Sequence, residues 1–225
     1  MRSRVTIFSM SSFALVFALL GATPSPSPTD SPAPTVDDIL ARMAATRKGL
    51  SSFSVPVHFD VKMRRPLGVV LHPDGVRYFE RPNKEALTMK SVPDAAKAFQ
   101  QIYTALGTAE TWPEQYDMSL VELDPQAGAT TYELKGVSKS GGDIDHVVID
   151  VAKDTAAPTR ARLFYRNGAT IDMAIENAMV DGQYLLPKTE TLDLNFPSFA
   201  GHAVGHYGDY SVNQPIPDTV WAHSP

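Results

Sequence analysis

From residue 53 to residue 63 every second position is apolar: Phe53, Val55, Val57, Phe59, Val61 and Met63 alternate with Ser54, Pro56, His58, Asp60 and Lys62. Successive side chains of a β-strand point to opposite faces, so this run reads as one long strand with a buried face and a wet face. Pro56 has no N–H to give to a ladder, which makes the strand either an edge or locally bulged at that point.

Shorter strand signals follow at regular spacing, at 67–72, 76–81, 85–90, 116–123, 130–137, 144–151, 160–166, 170–178, 184–194 and 204–212. Pro73-Asp74-Gly75, Asn167-Gly168 and Asp181-Gly182 read as tight turns between them. Short connections favour antiparallel neighbours. Two helices interrupt the pattern. Over 36–48, Thr35 is a good N-cap, Asp37 and Asp38 occupy the first turn, Arg47 and Lys48 the last, and Gly49 is a stop signal. Val36, Ile39, Leu40 and Met43 share one face of it. A second helix is expected over 93–106, where Phe99 and Ile102 fall on an apolar stripe. The fold class is therefore α+β, mainly antiparallel β: about ten strands in a sheet that must twist and curl, with the two helices on its concave side.

The N-terminus reads differently. Arg2 and Arg4 precede an apolar stretch, densest over 13–20, that ends in Gly21-Ala22. This is the layout of a signal peptide over 1–22. Ala22 stands where a lipoprotein box would need cysteine, and the chain has no cysteine at all, so disulfides, thiolate chemistry and lipid attachment through cysteine are excluded. Residues 23–34 alternate proline with small polar residues and form an extended linker. The domain proper is 35–225, and an exported, extracytoplasmic location is expected, with tethering if the leader stays. The net charge of −5 disfavours nucleic acid as a partner, because a phosphate backbone rewards a basic face.

Catalytic and metal-binding patterns are scarce. His202 and His206 stand at i, i+4, but the glycines around them favour a strand, where the two side chains lie roughly 13 Å apart. Asp143, Asp145, His146 and Asp150 form an acidic group with one histidine, yet alternation puts Asp145 and His146 on opposite faces. No nucleophile elbow or phosphate loop is present. Neither an enzyme, a metal site nor a cofactor is expected. The remaining chemistry is apolar. The face formed by Phe53, Val55, Val57, Phe59, Val61 and Met63 is either a closed core or the lining of an open ligand cavity. Ile39, Leu40, Met43, Phe99 and Ile102 would face it from the two helices.

The order of elements resembles the LolA-like periplasmic lipoprotein carriers and outer-membrane lipoprotein-sorting proteins. The likeness rests on the leader, the helix Val36-Asp37-Asp38-Ile39-Leu40-Ala41-Arg42-Met43, the strand beginning at Phe53, and Tyr78-Phe79-Glu80-Arg81-Pro82-Asn83-Lys84. Val180-Asp181-Gly182-Gln183-Tyr184 and the ending Tyr207-Gly208-Asp209-Tyr210 are also similar. The resemblance implies an incomplete curled β-barrel with the helices packed as a lid, binding lipid or lipoprotein acyl chains inside and carrying them between membranes; a monomer is expected. Its alternative is a sensor or protein-interaction module of the same fold, of the envelope-stress type, using an exposed edge near Pro56 or 204–212 to bind envelope proteins.

Overall fold

The computed structural model describes residues 33–65, 68–89, 106–124 and 126–222; the expected leader, most of the linker and nearly all of the expected helix at 93–106, with Phe99 and Ile102, lie outside them. The alternating run becomes β1 (Ser52–Arg65), with Val55 and Phe59 fully buried and His58 and Lys62 exposed. The other strands are β2 (Val70–Leu71), β3 (Asp74–Glu80), β4 (Lys84–Met89), β5 (Tyr116–Val121) and β6 (Thr131–Ser138). They continue with β7 (Ile144–Ala152), β8 (Pro158–Tyr165), β9 (Thr170–Val180), β10 (Tyr184–Asn195), β11 (Ala200–Tyr207) and β12 (Ser211–Val212). The helices are α1 (Val36–Thr46), α2 (Trp112–Gln115) and α3 (Asp218–Trp221).

The strands form one antiparallel sheet in the order β4-β3-β1-β11-β10-β9-β8-β7-β6-β5, with β2 and β12 also paired to β1. Strands β5 to β11 form a meander, as short connections require. The edges β4 and β5 do not pair, so the barrel is incomplete. Leu87 of β4 and Tyr116 of β5 nevertheless share one apolar cluster with Ile39, Leu40 and Met43 of α1. A smaller cluster joins Leu50, Phe53, Val55, Phe79, Tyr184 and Leu186.

Helix α1 starts at a capping box. Thr35 Oγ1 accepts from the Asp38 N–H at 3.2 Å, and the Asp38 carboxylate accepts from the Thr35 N–H at 2.9 Å. That second bond holds the Asp38 carboxyl below its ordinary range. The helix ends at Thr46, two residues short of the expected end. Arg47 becomes its C-cap and lies 4.5 Å above the Phe79 ring, while Gly49, at φ +85°, turns the chain into β1.

Two expectations about β1 need correction. Pro73-Asp74-Gly75 is not a hairpin turn. Strands β2 and β3 lie end to end along β1 in one unbroken register: Lys62 faces Val70, Val61 faces Leu71, His58 faces Asp74 and Val57 faces Gly75. Pro73 removes a donor and so interrupts the ladder, but its carbonyl still accepts from the Phe59 N–H at 3.0 Å. Gly75 is required by close approach, since a Cβ there would lie 2.7 Å from the Thr88 carbonyl oxygen. The turn itself falls before β2, where the Met63 N–H donates to the Val69 carbonyl at 2.8 Å. Of the two readings of Pro56, an edge or a local bulge, β1 takes the second: its register against β11 and β12 shifts by one residue between Ser54 and Val57. It sits inside the sheet, and its proline faces the irregular step between β11 and β12, where Gly208 N–H donates to the Pro56 carbonyl at 2.9 Å. The exposed edge expected near Pro56 is therefore an interior pairing, whereas β12, within 204–212, pairs among the described strands with β1 alone. The turns at Asn167-Gly168 and Asp181-Gly182 are present, with Gly168 at φ +81° and Gly182 at φ +65°.

Candidate functional site

The inner face of the sheet is apolar except for one band. Arg77 follows the buried alternation of β3, and Glu190 that of β10, so both point inward. Arg77 Nη1 donates to Glu190 Oε1 at 3.2 Å and to the Tyr207 hydroxyl at 3.1 Å, while Nη2 donates to Glu85 Oε2 at 3.2 Å. Tyr207 Oη donates to Glu190 Oε2 at 2.7 Å. The Glu190 residue is only 2% exposed. A carboxylate so deeply buried persists because the guanidinium and the phenol both meet it. The band separates the two apolar clusters, and Tyr207 packs against both.

Above the band is a cavity of about 110 Å³. Met43, Thr46 and Arg47 roof it, together with Leu106–Ala109 and Trp112. Its walls include Phe53, Met173, Ile175 and Leu186, and its floor is formed by Arg77, Glu85 and Glu190. Burial pushes the Arg47 guanidinium pKa down from its ordinary value, and the charges of Glu85 and Glu110 oppose that shift. The arrangement is a small apolar chamber with a charged end. It can hold a hydrocarbon segment and offers a polar group to one terminus of it.

Of the six β1 positions expected to line a cavity, Phe53 reaches this wall. Val57, Phe59, Val61 and Met63 pack in the main cluster and Val55 in the smaller one. Ile39, Leu40 and Met43 of α1 are buried against the sheet, and Met43 reaches the cavity. Arg42 Nη2 ties the helix to the β7–β8 turn by donating to the Lys153 carbonyl at 2.7 Å. The polar band was not foreseen. Its sequence signal is a charged residue at an inward position of an alternating strand, and Glu190 sits in such a run, between Leu186 and Leu192.

The outer face of β1 gathers a second group. His58 Nδ1 lies 2.7 Å from Asp74 Oδ1, and His72 Nδ1 lies 2.7 Å from Asp60 Oδ1. His58 Nε2 and His206 Nε2 approach Asp60 at 3.9 and 3.6 Å. The hydrogen bond to His72 is the main cause that lowers the Asp60 carboxyl. His202 lies apart and pairs with Asp193 at 3.2 Å. Asp145 and His146 were expected on opposite faces. A bulge at that point of β7 makes Asp145 the extra residue, and its carboxylate meets the imidazole at 2.9 Å. No helix among the described residues is long and apolar enough to cross a membrane.

No protein-family model matches this chain, and no curated protein sequence does. Its fold has solved counterparts. A DUF1329 family protein from Desulfovibrio piger aligns with 84% of this chain and 96% of its own length, at 13% identity and a TM-score of 0.57. A structure described as an outer membrane lipoprotein-sorting protein domain, from Vibrio parahaemolyticus, aligns over 82% and 94%, at 12% identity and TM-score 0.58. A LolA superfamily protein from Nitrosomonas europaea aligns over 84% and 97%, at 14% identity and TM-score 0.54. The open antiparallel sheet, the helix against its inner face and these likenesses together identify the fold as LolA-like.

Proposed function

We propose that this chain is an exported, non-enzymatic binder of lipid or lipoprotein acyl chains, which it holds between α1 and the inner face of the sheet and carries within the cell envelope. The observation that carries the reading is the chamber under α1, apolar on its walls and closed at one end by the Arg77–Glu190 pair. At about 110 Å³ it is smaller than the roughly 300–1,000 Å³ of sites that enclose a whole small molecule. An acyl chain is accommodated when α1 lifts. The helix rests on the sheet through Ile39, Leu40 and Met43, which pack in the same cluster as Val57, Phe59 and Val61. Lifting it converts that β1 face from core to lining. The leader at 1–22 and the Pro-rich linker at 23–34 deliver the domain across the membrane and hold it clear of the surface. The lipoprotein-sorting description of one structural neighbour agrees with such a role.

The test is native mass spectrometry of the full chain purified from an envelope fraction, followed by displacement of a fluorescent fatty-acid probe. Co-purifying lipid and a saturable displacement are the expected results. Lipid-free protein that leaves the probe undisturbed overturns the reading and leaves the protein-interaction module of the same fold in its place.

A further inference from the structure

The outer face of β1 carries chemistry that acyl-chain binding does not use. His58 and Asp60 are two residues apart on one strand and so share a face, about 7 Å apart at the backbone. The β1–β2 turn sets His72 beside Asp60, and the β1–β11 register sets His206 directly opposite His58. Facing residues of an antiparallel pair have Cβ atoms about 5 Å apart, close enough for imidazole and carboxylate donors to converge. One donor atom from each of His58, Asp60 and His72 lies within 4.8 Å of the others, and His206 Nε2 stands 3.6 Å from the other oxygen of Asp60.

The tautomer of His58 sharpens this. Its Nδ1 is 2.7 Å from the Asp74 carboxylate, a contact that an N–H on Nδ1 satisfies, and in the neutral imidazole this leaves Nε2 with a lone pair 3.9 Å from Asp60 Oδ1. A carboxylate that orients a histidine from behind is the usual support of a metal-binding imidazole. Tetrahedral ligands at about 2.0–2.1 Å from a zinc ion stand about 3.3 Å apart, and the distances from Asp60 Oδ1 to His72 and His58, 2.7 and 3.9 Å, bracket that value.

We propose that His58, Asp60 and His72 form a binding site for a divalent first-row transition-metal ion, with Asp74 orienting His58 and His206 holding the other oxygen of Asp60. Imidazole with one carboxylate suits zinc, copper or nickel over calcium or magnesium, which prefer all-oxygen shells. To coordinate through Nδ1, neutral His72 moves its proton to Nε2 by way of solvent, and the ion takes the place that proton held beside Asp60. The ligands are half exposed, from 45% for Asp60 to 58% for His72, so the ion exchanges freely with solvent and ties β1 to the segment running into β3 on the face opposite the cavity.

The experiment is isothermal titration of the untagged full chain with Zn²⁺, with Co²⁺ as the spectroscopic probe and the melting temperature read with and without EDTA. One equivalent of Zn²⁺ should bind, raise the melting temperature reversibly, and give the visible absorption of low-coordinate Co²⁺. Asp60→Asn and His72→Ala should each weaken binding by at least about tenfold, and Asp74→Ala by about tenfold, as outer-shell losses do. His146→Ala, which removes a close histidine–aspartate pair outside this group, should leave binding unchanged. Absence of Zn²⁺ binding at about 100 µM would overturn the proposal, because so weak a site adds little stability. So would retention of binding by a folded Asp60→Asn/His72→Ala double variant.

Discussion

On the inner face of β1, Val55 and Phe59 are 0% exposed; one residue away on the outer face, the side chains of His58 and Asp60 are 47% and 45% exposed. The two faces share a backbone and a register, yet their polar groups obey different rules. Inside, Arg77 and Tyr207 meet Glu190 at hydrogen-bond distance and offset the cost of burying it. Outside, water reaches most charges, and ion pairs such as Arg160 with Asp172 are optional. Burial, more than the number of contacts, decides what a given residue is worth here.

Three substitutions probe that contrast. Phe59→Ala should have the largest effect, a loss of about 3–5 kcal/mol in a denaturant titration, because it empties a fully enclosed ring site. A loss below about 1 kcal/mol would mean that the inner face is already open, and the contrast would fail there. Arg77→Ala should come next, at about 3 kcal/mol, since it strands Glu190 without its cation. The double variant Arg77→Met/Glu190→Leu should recover most of that loss in the same titration. If it does not, the band contributes more than mutual neutralisation.

The smallest effect belongs to the outer face. Arg160 Nε donates to Asp172 Oδ1 at 2.7 Å with both side chains well exposed, and Asp172→Asn should cost less than about 1 kcal/mol near neutral pH. The hydrogen bond from Arg160 is the main cause that holds the Asp172 carboxyl below its ordinary range. A depressed carboxyl contributes stability above its unfolded pKa, about 3.9, and loses it as pH falls through the folded value. The gap between wild type and Asp172→Asn should therefore close in acid, and narrow in high salt at neutral pH. A gap that persists in acid would show that more than charge is at work on this face.

Much of the inner face was legible in the chain. Alternation from Phe53 to Met63 reports which side of a strand is buried, and Thr35 as N-cap, with Asp37 and Asp38 after it, reports where α1 begins, because both depend on a few consecutive residues. The turn was misplaced for a related reason. Pro73 and Gly75 carry the composition of a turn, but one removes a donor from a straight ladder and the other admits the Thr88 carbonyl. Asp145 and His146 looked separated until a bulge, invisible in the alternation, brought them together.

The sequence by itself determined the periodicities: a strand with one apolar face, a capped amphipathic helix, tight turns at Asn167-Gly168 and Asp181-Gly182, and a chain without cysteine. These follow from local backbone geometry and side-chain chemistry. Only the tertiary structure decided which distant residues meet. Arg77 finds Glu190 across 113 positions, and Asp60 finds His72 in the segment between β2 and β3 and His206 on β11. Those meetings depend on where one turn closes and on which strands flank β1, and a shift of one residue would send each of these side chains to the opposite face.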